Sequence, residues 1–157
     1  GIYAALLLSG GRRAMTAATD DMTLPRKLDA GLNGFLDFTL TEWREGFAEI
    51  QVVLNERHAN RQGGVHGGTT AALLDAVTGF CGIYETDPAK RRGNATVSLT
   101  INYTGRAKGE RLIARGTVRK AGRRMYFAAG EVKDEHGNLV ATGEAVYAYT
   151  DVAYQQR

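Results

Sequence analysis

The stretch GGTTAALLDAVTGFCGIY, residues 67–84, decides the fold of this chain. Its apolar residues run nearly all the way round a helix, and a helix of that kind is buried on most of its sides. The composition therefore predicts a long central helix from Gly67 to Tyr84. Asp75 is the one acidic or basic residue from Gly67 to Cys81, so a single carboxylate is expected in the middle of a buried element.

Segments on both sides of this helix have the composition of β-strands. They are rich in Thr, Val, Tyr and Phe, and their apolar residues alternate in parts. Two precede the helix and four follow it: 35–43, 47–54, 95–104, 110–121, 124–134 and 139–150. A short helix or irregular lead-in is expected over 20–34, ending at Gly31 or Gly34. We predict an α+β fold in which an antiparallel sheet of about six strands, the last four in a meander, wraps around one central helix.

Length, charge and cysteine content limit the classes of protein to consider. The 157 residues suit a single domain, expected over 20–157, with residues 1–19 as a tail in which Met15 is a candidate natural start. The apolar run 2–8 is too short to span a bilayer. A lone cysteine, Cys81, excludes an intramolecular disulfide and favours a reducing, cytoplasmic setting. The net charge of +3 fits a small anionic ligand and is too weak to indicate nucleic acid.

The glycine-rich loop GGVHGG, residues 63–68, predicts a binding site at the start of the helix. The first turn of a helix has unpaired N–H groups at the positive end of its dipole, and Gly67 and Gly68 leave those groups open to a ligand. A carbonyl oxygen bound there would be polarised, and the oxyanion formed by nucleophilic attack would be stabilised. His66 adds a ring nitrogen and Asn60 adds an amide.

Asp75 supplies the remaining chemical group. A carboxylate with few polar neighbours is costly to bury, so it is either functional or paired with an arginine from elsewhere in the chain. A poorly solvated carboxylate is a competent general base or nucleophile. His58 and His136 are interpreted as loop residues, and Cys81 as a small core residue. The loop and the acid together indicate acyl transfer to water.

At this spacing Asn60, His66-Gly67-Gly68 and Asp75 resemble the hotdog-fold acyl-CoA thioesterases, and among these the phenylacetate-pathway (PaaI)-like subgroup. The resemblance covers roughly residues 30–150. It extends into TVSLTINYTGRAKGERL (96–112) and GEVKDEHGNLVATGEAVY (130–147).

The resemblance implies a role for each matching residue. Asp75 would be the general base or nucleophile, and the Gly67 N–H would polarise the thioester carbonyl. Asn60 and His66 would place the thioester or the attacking water. Thr96 stands where a serine or threonine of the subgroup often positions that water.

The resemblance also implies coenzyme A as part of the substrate, with no separate cofactor and no metal. Its phosphates need basic side chains at the mouth of the site. The candidates are Arg91, Arg92, Lys120, Arg123 and Arg124. The two arginine pairs are favoured, because clustered charge raises the local potential.

Helix geometry predicts that the site lies between two subunits. Eight residues separate Gly67 from Asp75, which is roughly 12 Å along a helix axis. A reacting carbon must lie within ~3–3.5 Å of the attacking atom, so one helix does not comfortably supply both groups. A symmetric dimer with antiparallel central helices would bring Asp75 of one chain to Gly67 and Asn60 of the other. The resemblance implies the same homodimer, often paired again into a homotetramer.

Other functions are weighed against the thioesterase. A hotdog-fold enoyl-CoA hydratase would be expected to have its Asp and His about five residues apart, whereas Asp75 follows His66 by nine. A non-catalytic acyl-CoA-binding module is a further alternative, and nucleic-acid binding is disfavoured because stacking aromatics and basic residues do not cluster. The acyl group, and the choice between attack by Asp75 and activation of water, stay open at this stage.

Overall fold

The computed structural model describes residues 22–151, which form one seven-stranded antiparallel sheet with a long helix packed against it. In chain order the elements are β1 (Arg26–Lys27), α1 (Gly31–Phe35), β2 (Thr39–Arg44), β3 (Phe47–Val53), α2 (Gly67–Cys81), β4 (Gly93–Tyr103), β5 (Arg111–Ala121), β6 (Met125–Asp134) and β7 (Leu139–Thr150). The strand order across the sheet is β1-β2-β3-β5-β6-β7-β4. The expected tail 1–19 lies outside the described residues. No helix within residues 22–151 is long and apolar enough to cross a bilayer.

The predicted central helix is α2, and its apolar face forms the middle of the core. Leu73, Leu74 and Val77 are completely buried against the sheet. The helix ends at Cys81, three residues before the predicted end. Its last carbonyl oxygens are satisfied by side chains from the sheet, since Trp43 Nε1 donates to Phe80 O at 2.8 Å and the Tyr126 hydroxyl to Gly79 O at 2.7 Å.

A row of glycines lets α2 approach the sheet closely. Gly116, Gly130 and Gly143 are paired in register across β5, β6 and β7. A Cβ at Gly116 would lie 2.5 Å from Val77 O, and one at Gly130 would lie 2.9 Å from a methyl carbon of Leu74. The backbone of the helix therefore rests almost directly on three adjacent strands.

The strand predictions are confirmed in position, with boundaries that shift by up to four residues, but the predicted four-strand meander is wrong. Of the last four strands described, β5, β6 and β7 follow one another as hairpins and β4 does not join them in sequence order. β4 pairs with β7 at the edge of the sheet, while β5 pairs with β3 from Phe47↔Thr117 to Val53↔Arg111. Pairing partners so far apart along the chain leave no local sequence pattern, which is why the order was missed.

The lead-in also differs from its prediction. A five-residue helix begins at Gly31, where φ is +58°, and ends at Phe35, instead of ending at one of the two glycines. Gly34 lies inside that helix, and the position needs glycine because a Cβ there would meet the Asp29 carbonyl oxygen at 2.6 Å. The seventh strand is the two-residue β1, which pairs with β2 and which the sequence did not reveal.

Candidate active site

The loop that leads into α2 is organised by His58, a residue to which the sequence assigned no role. Its ring is 1% exposed. Nδ1 accepts a hydrogen bond from the Asn55 N–H at 2.9 Å, so Nε2 carries the ring proton and donates to Leu36 O at 2.9 Å. The His58 carbonyl oxygen in turn accepts the His66 N–H at 2.8 Å. The interpretation of His58 as a loop residue was incomplete, because it is a buried residue that sets the geometry of the loop.

Asn60 holds the glycine-rich loop in its folded shape. Its Oδ1 accepts the backbone N–H groups of Gln62 at 2.9 Å and Gly64 at 3.1 Å. Its Nδ2 donates to Val65 O at 3.4 Å, which is a long contact, so the amide keeps donor capacity for a ligand.

The start of α2 presents one open N–H group where the sequence predicted two. The Gly68 N–H donates to Nδ1 of His66 at 2.8 Å, which makes His66 the N-cap of the helix. Because that ring nitrogen accepts a hydrogen bond, a neutral His66 carries its proton on Nε2, where it can donate to a ligand. Among residues 22–151 no acceptor contacts the Gly67 N–H. Gly67 is thus the backbone donor that remains for an oxyanion.

Asp75 lies half-buried in the middle of α2, with two hydroxyl groups on its carboxylate. Thr96 Oγ1 donates to Oδ1 at 2.8 Å, and the Tyr147 hydroxyl lies 3.1 Å from the same oxygen. Within the described part of the chain the carboxylate has no ion-pair partner, and its Oδ2 accepts no hydrogen bond. The expectation of few polar neighbours was therefore wrong for Oδ1 and fits Oδ2.

A bulge in β4 aims Thr96 at the acid. Thr96 pairs with Tyr147 and Ser98 pairs with Val146, so Val97 is an extra residue in the strand. In a regular strand Thr96 and Leu99 would face opposite sides, because they are three residues apart. The bulge places both on the side of the helix, as bulges near active sites often do.

Tyr147 is the functional candidate that sequence reasoning missed. Its ring is 2% exposed, and its hydroxyl contacts the carboxylate and the backbone carbonyl of Asp75. The available signal was the alternation of Tyr147 and Tyr149 in the last strand, which places both rings on one face of the sheet. That pattern indicated buried aromatics without showing that they would meet the acid.

The basic candidates divide into a cluster and one separate residue. The Arg92 guanidinium lies 3.6 Å from the centroid of the Tyr149 ring, and its Nη1 donates to Arg123 O at 3.1 Å. The Tyr149 N–H donates to Arg124 O at 2.9 Å, so Arg92, Arg123 and Arg124 share one corner of the fold. Arg91 is half-buried beside them in the chain, where its Nε donates to Glu85 O at 3.3 Å.

Lys120 does not join this cluster. It pairs with the exposed Phe127, whose neighbours Tyr126 and Ala128 are buried. Side chains alternate between the two faces of a strand, so Lys120 lies on the face of the sheet away from α2. The structure thus separates it from the other predicted coenzyme A contacts.

Cys81 has the environment of a core residue. It is 1% exposed, and its Sγ donates to Thr78 O at 3.1 Å. Burial raises the pKa of the Cys81 thiol to about 12, so the sulfur carries its proton at neutral pH. It has no part in the arrangement around Asp75.

Two named proteins are similar to this chain in sequence. A putative esterase of Pseudomonas aeruginosa is 30% identical over 99 residues, which cover 62% of this chain and 72% of that protein. Acyl-coenzyme A thioesterase 13 of the mouse is 29% identical over 97 residues, covering 59% of this chain and 66% of that protein, just under two thirds of its length.

Solved structures show the same likeness. The crystal structure of zebrafish thioesterase superfamily member 2 has a TM-score of 0.66 at 27% identity, covering 75% of this chain and 86% of that one. The PaaI protein of the E. coli phenylacetic acid degradation operon has a TM-score of 0.65, and at 18% identity it is a likeness of fold, over 73% of this chain and 80% of that one.

A family profile covers the central part of the site. Residues 62–141, just over half of the chain, match the thioesterase superfamily. The span includes the helix start, Asp75 and Thr96. The predicted hotdog fold and the class of thioester hydrolase are thereby confirmed, and the resemblance to PaaI-like thioesterases is confirmed at the level of the fold. The chain belongs to the thioesterase superfamily.

Proposed function

We propose that this protein hydrolyses an acyl- or aryl-CoA thioester to the free acid and coenzyme A. The observation that carries the proposal is the Asp75 carboxylate, whose Oδ1 is held by Thr96 and Tyr147 while Oδ2 has no partner among residues 22–151. An oriented carboxylate with one free oxygen is suited to take a proton from water or to attack a carbonyl carbon. Membership of the family and the likeness to an acyl-CoA thioesterase support coenzyme A as the thiol half of the substrate.

The groups around the site fit the steps of thioester hydrolysis. The thioester oxygen would accept the Gly67 N–H, which has the helix dipole behind it. Asp75 Oδ2 would remove a proton from water as the water oxygen bonds to the carbonyl carbon, or would attack that carbon itself. Collapse of the oxyanion breaks the carbon–sulfur bond, and the thiolate of coenzyme A leaves and takes up a proton. When water attacks, the product is the free acid; when Asp75 attacks, a mixed anhydride is left on Asp75, and water then hydrolyses it to the free acid and restores the carboxylate. Coenzyme A enters as the thiol half of the substrate and leaves as a product. The proposal needs no separate cofactor and no metal.

The proposal places each site between two copies of the chain. β4 is an edge strand of eleven residues, largely exposed, and a long open edge is a template for pairing with another strand. Beside it α2 leaves Ala71, Ala72 and Asp75 only partly covered. A homodimer, which can pair again into a homotetramer, would bring the Gly67 N–H and Asn60 of one chain to Asp75 of the other.

The arginine cluster is proposed to bind the phosphates of coenzyme A. Arg92, Arg123 and Arg124 lie together at the N-terminal end of β4, which begins at Gly93. Thr96 is four residues beyond Arg92, about 13 Å of extended strand, so an elongated ligand could reach both. Arg91 is the next candidate, and Lys120 would need a second copy of the chain to approach the same ligand.

A cytoplasmic location is proposed on the reduced, buried Cys81.

The test is hydrolysis of a panel of aliphatic and aryl acyl-CoAs, measured by release of free thiol. The wild type should turn over at least one member, and Asp75→Asn should lose ~10²–10⁴-fold in kcat/KM while keeping its fold, because the amide cannot accept a proton from water. The control is Glu42→Gln, which neutralises a carboxylate on β2, far from β4 in the sheet. If no substrate of the panel releases free thiol, the proposal is refuted. If Asp75→Asn keeps near-native turnover, Asp75 is not the base or nucleophile of the reaction.

A further inference from the structure

The Tyr147 hydroxyl contacts both the backbone and the carboxylate of Asp75, and within residues 22–151 no other side chain of the sheet does so. It lies 2.7 Å from the Asp75 carbonyl oxygen and 3.1 Å from Oδ1. Thr96, from the neighbouring strand β4, donates to the same Oδ1 at 2.8 Å. Two hydroxyls from two paired strands therefore converge on one carboxylate oxygen.

Thr78 completes the surroundings of this hydroxyl. It lies one turn beyond Asp75 on α2, and its Oγ1 is 2.8 Å from the Tyr147 oxygen. The Thr78 hydroxyl also lies 2.6 Å from Leu74 O, to which it donates. Because the Thr78 proton is used in that bond, the Thr78 hydroxyl can only accept from Tyr147. The single Tyr147 proton is therefore shared among Thr78 Oγ1, the Asp75 carbonyl oxygen and Asp75 Oδ1. Of these, Oδ1 is the charged acceptor, and a charged acceptor attracts a proton more strongly than a neutral one.

The phenol is well protected from ionisation. Burial, and then the nearby charge of Asp75, raise the pKa of Tyr147 above its ordinary value. It therefore keeps its proton throughout the neutral range and remains a donor. Oδ2 of Asp75 faces none of these hydroxyls and has no partner within residues 22–151.

We infer that Tyr147 is a positioning residue for the reaction: with Thr96 it fixes Asp75 through Oδ1, so that Oδ2 is the oxygen presented to water or substrate. The inference rests on the proposed function, in which Asp75 is the base or nucleophile. Tyr147 thus sets the orientation of Asp75 through its contact with Oδ1.

Tyr126 provides a matched control in the same layer of the core. Its ring is stacked on that of Tyr147, with centroids 4.9 Å apart and planes 12° from parallel. It is equally buried, and its hydroxyl also donates to a carbonyl of α2, that of Gly79 at 2.7 Å. It makes no contact with Asp75 among the described residues. Loss of either hydroxyl removes a comparable structural bond, and only one of the two touches the acid.

The experiment compares Tyr147→Phe with Tyr126→Phe. For Tyr147→Phe we expect kcat to fall roughly 10- to 100-fold with KM within about twofold, because a mispositioned reacting group slows the chemical step and leaves binding intact. The acid limb of the kcat/KM profile should move to higher pH, since the carboxylate has lost a donor. Tyr126→Phe should keep the pH profile of the wild type. Equal profiles and equal kcat in the two variants would overturn the inference.

A second readout does not depend on activity. The ¹³C shift of the Asp75 carboxyl is followed by NMR against pH, and the midpoint should rise in Tyr147→Phe and stay in place in Tyr126→Phe. A wild type without thioesterase activity would refute the proposed function, and this titration would still decide whether Tyr147 controls Asp75. If Tyr147→Phe does not fold, Thr78→Val replaces it, because it removes one of the two neutral acceptors, Thr78 Oγ1 and the Asp75 carbonyl oxygen, that compete with Oδ1 for the Tyr147 proton. A midpoint moved to lower pH then supports the inference, and an unchanged one overturns it.

Discussion

At the scale of single residues, Asp75 is stabilised by hydroxyl groups where an arginine was the alternative expected. A guanidinium would neutralise the carboxylate and occupy both of its oxygens. The hydroxyls of Thr96 and Tyr147 orient one oxygen and leave the charge in place. This distinction separates a structural acid from one that is available for chemistry.

The Arg123–Arg124 pair tests the proposed phosphate contacts. Replacing both with alanine should raise KM for acyl-CoA several-fold and weaken its dependence on salt, with kcat little changed, because uniform binding is lost. The steady-state kinetics are measured at low and moderate ionic strength. Lys27→Ala combined with Arg44→Ala removes the same charge at the opposite side of the sheet and serves as the control. An unchanged KM at low salt would assign the phosphates to another surface.

At the scale of elements, the contact between α2 and the sheet depends on the glycine row of Gly116, Gly130 and Gly143. A methyl group at Gly116 would press on the backbone of the helix at Val77, which cannot rotate away as a side chain can. At Gly143 the nearest atom is a methyl carbon of Leu74 at 3.4 Å. The tolerance for a methyl group should therefore differ between two positions of the same row.

Gly116→Ala should lower the free energy of unfolding by at least about 1–3 kcal/mol, which is the usual cost of overpacking a core. Gly143→Ala should be much milder, because its new methyl group meets a side chain that can move and the unfolded chain loses entropy. Urea denaturation of both variants makes the comparison. Equal destabilisation would show that the close approach of α2 does not limit these positions.

The hairpin between β6 and β7 is organised by Asp134, which is 1% exposed. Although burial acts in the opposite direction, hydrogen bonds from the Asn138 side chain and from the N–H groups of Lys108, Asn138 and His136 lower the pKa of Asp134 from 3.8 to about 2. A carboxyl group with a depressed pKa in the folded state contributes stability above pH 3.8 that is lost as the pH falls through about 2.

Acid titration of stability should therefore reveal Asp134. The wild type should exceed Asp134→Asn in free energy of unfolding at pH 5, because the variant turns an amide N–H toward backbone donors. The difference should shrink steadily as the pH is lowered toward about 2. Urea midpoints at several pH values measure it. A difference that does not depend on pH would mean that the charge of Asp134 adds nothing to the hairpin.

At the scale of the whole molecule, one chain carries two half-sites of the proposed active site, the loop half at Gly67 and the acid half at Asp75, at separate positions along α2. Gly67 and Asp75 are separated by eight helical residues, roughly 12 Å. The open edge of β4 lies beside the exposed side of Asp75. The proposed dimer would join the first half-site of each chain to the second half-site of the other.

Complementation between inactive chains tests this arrangement. Asn60→Ala disrupts the loop half, because Asn60 holds the N–H groups of Gln62 and Gly64, and Asp75→Ala removes the acid half. When the two are unfolded and refolded together, about half of the dimers are mixed and each has one intact site of two, so activity should recover to roughly a quarter of wild type. Native mass spectrometry confirms mixed dimers. Mixed dimers that form but show no recovered activity would mean that each site is built within a single chain.

The amino-acid sequence by itself determined the elements and most of the half-sites. The apolar run over residues 67–84, the period-2 segments and the EHGN turn, with Gly137 at a φ of +84°, are local signals, since each reflects neighbours within a few residues. The Gly67 donor, His66 and Asp75 lie in or beside one helix and could be recognised for the same reason.

Only the tertiary structure decided what meets Asp75 and on which side each strand lies. Thr96 and Tyr147 come from 21 and 72 residues away, and they reach the acid because β4 crosses to the edge beside β7 and is bulged at Val97. A shift of one residue in register turns every following side chain to the other face of a sheet, so Lys120 could not be separated from the arginine cluster by inspection of the chain. Strand order and register are set by the packing of distant segments, and that information is not contained in any local pattern.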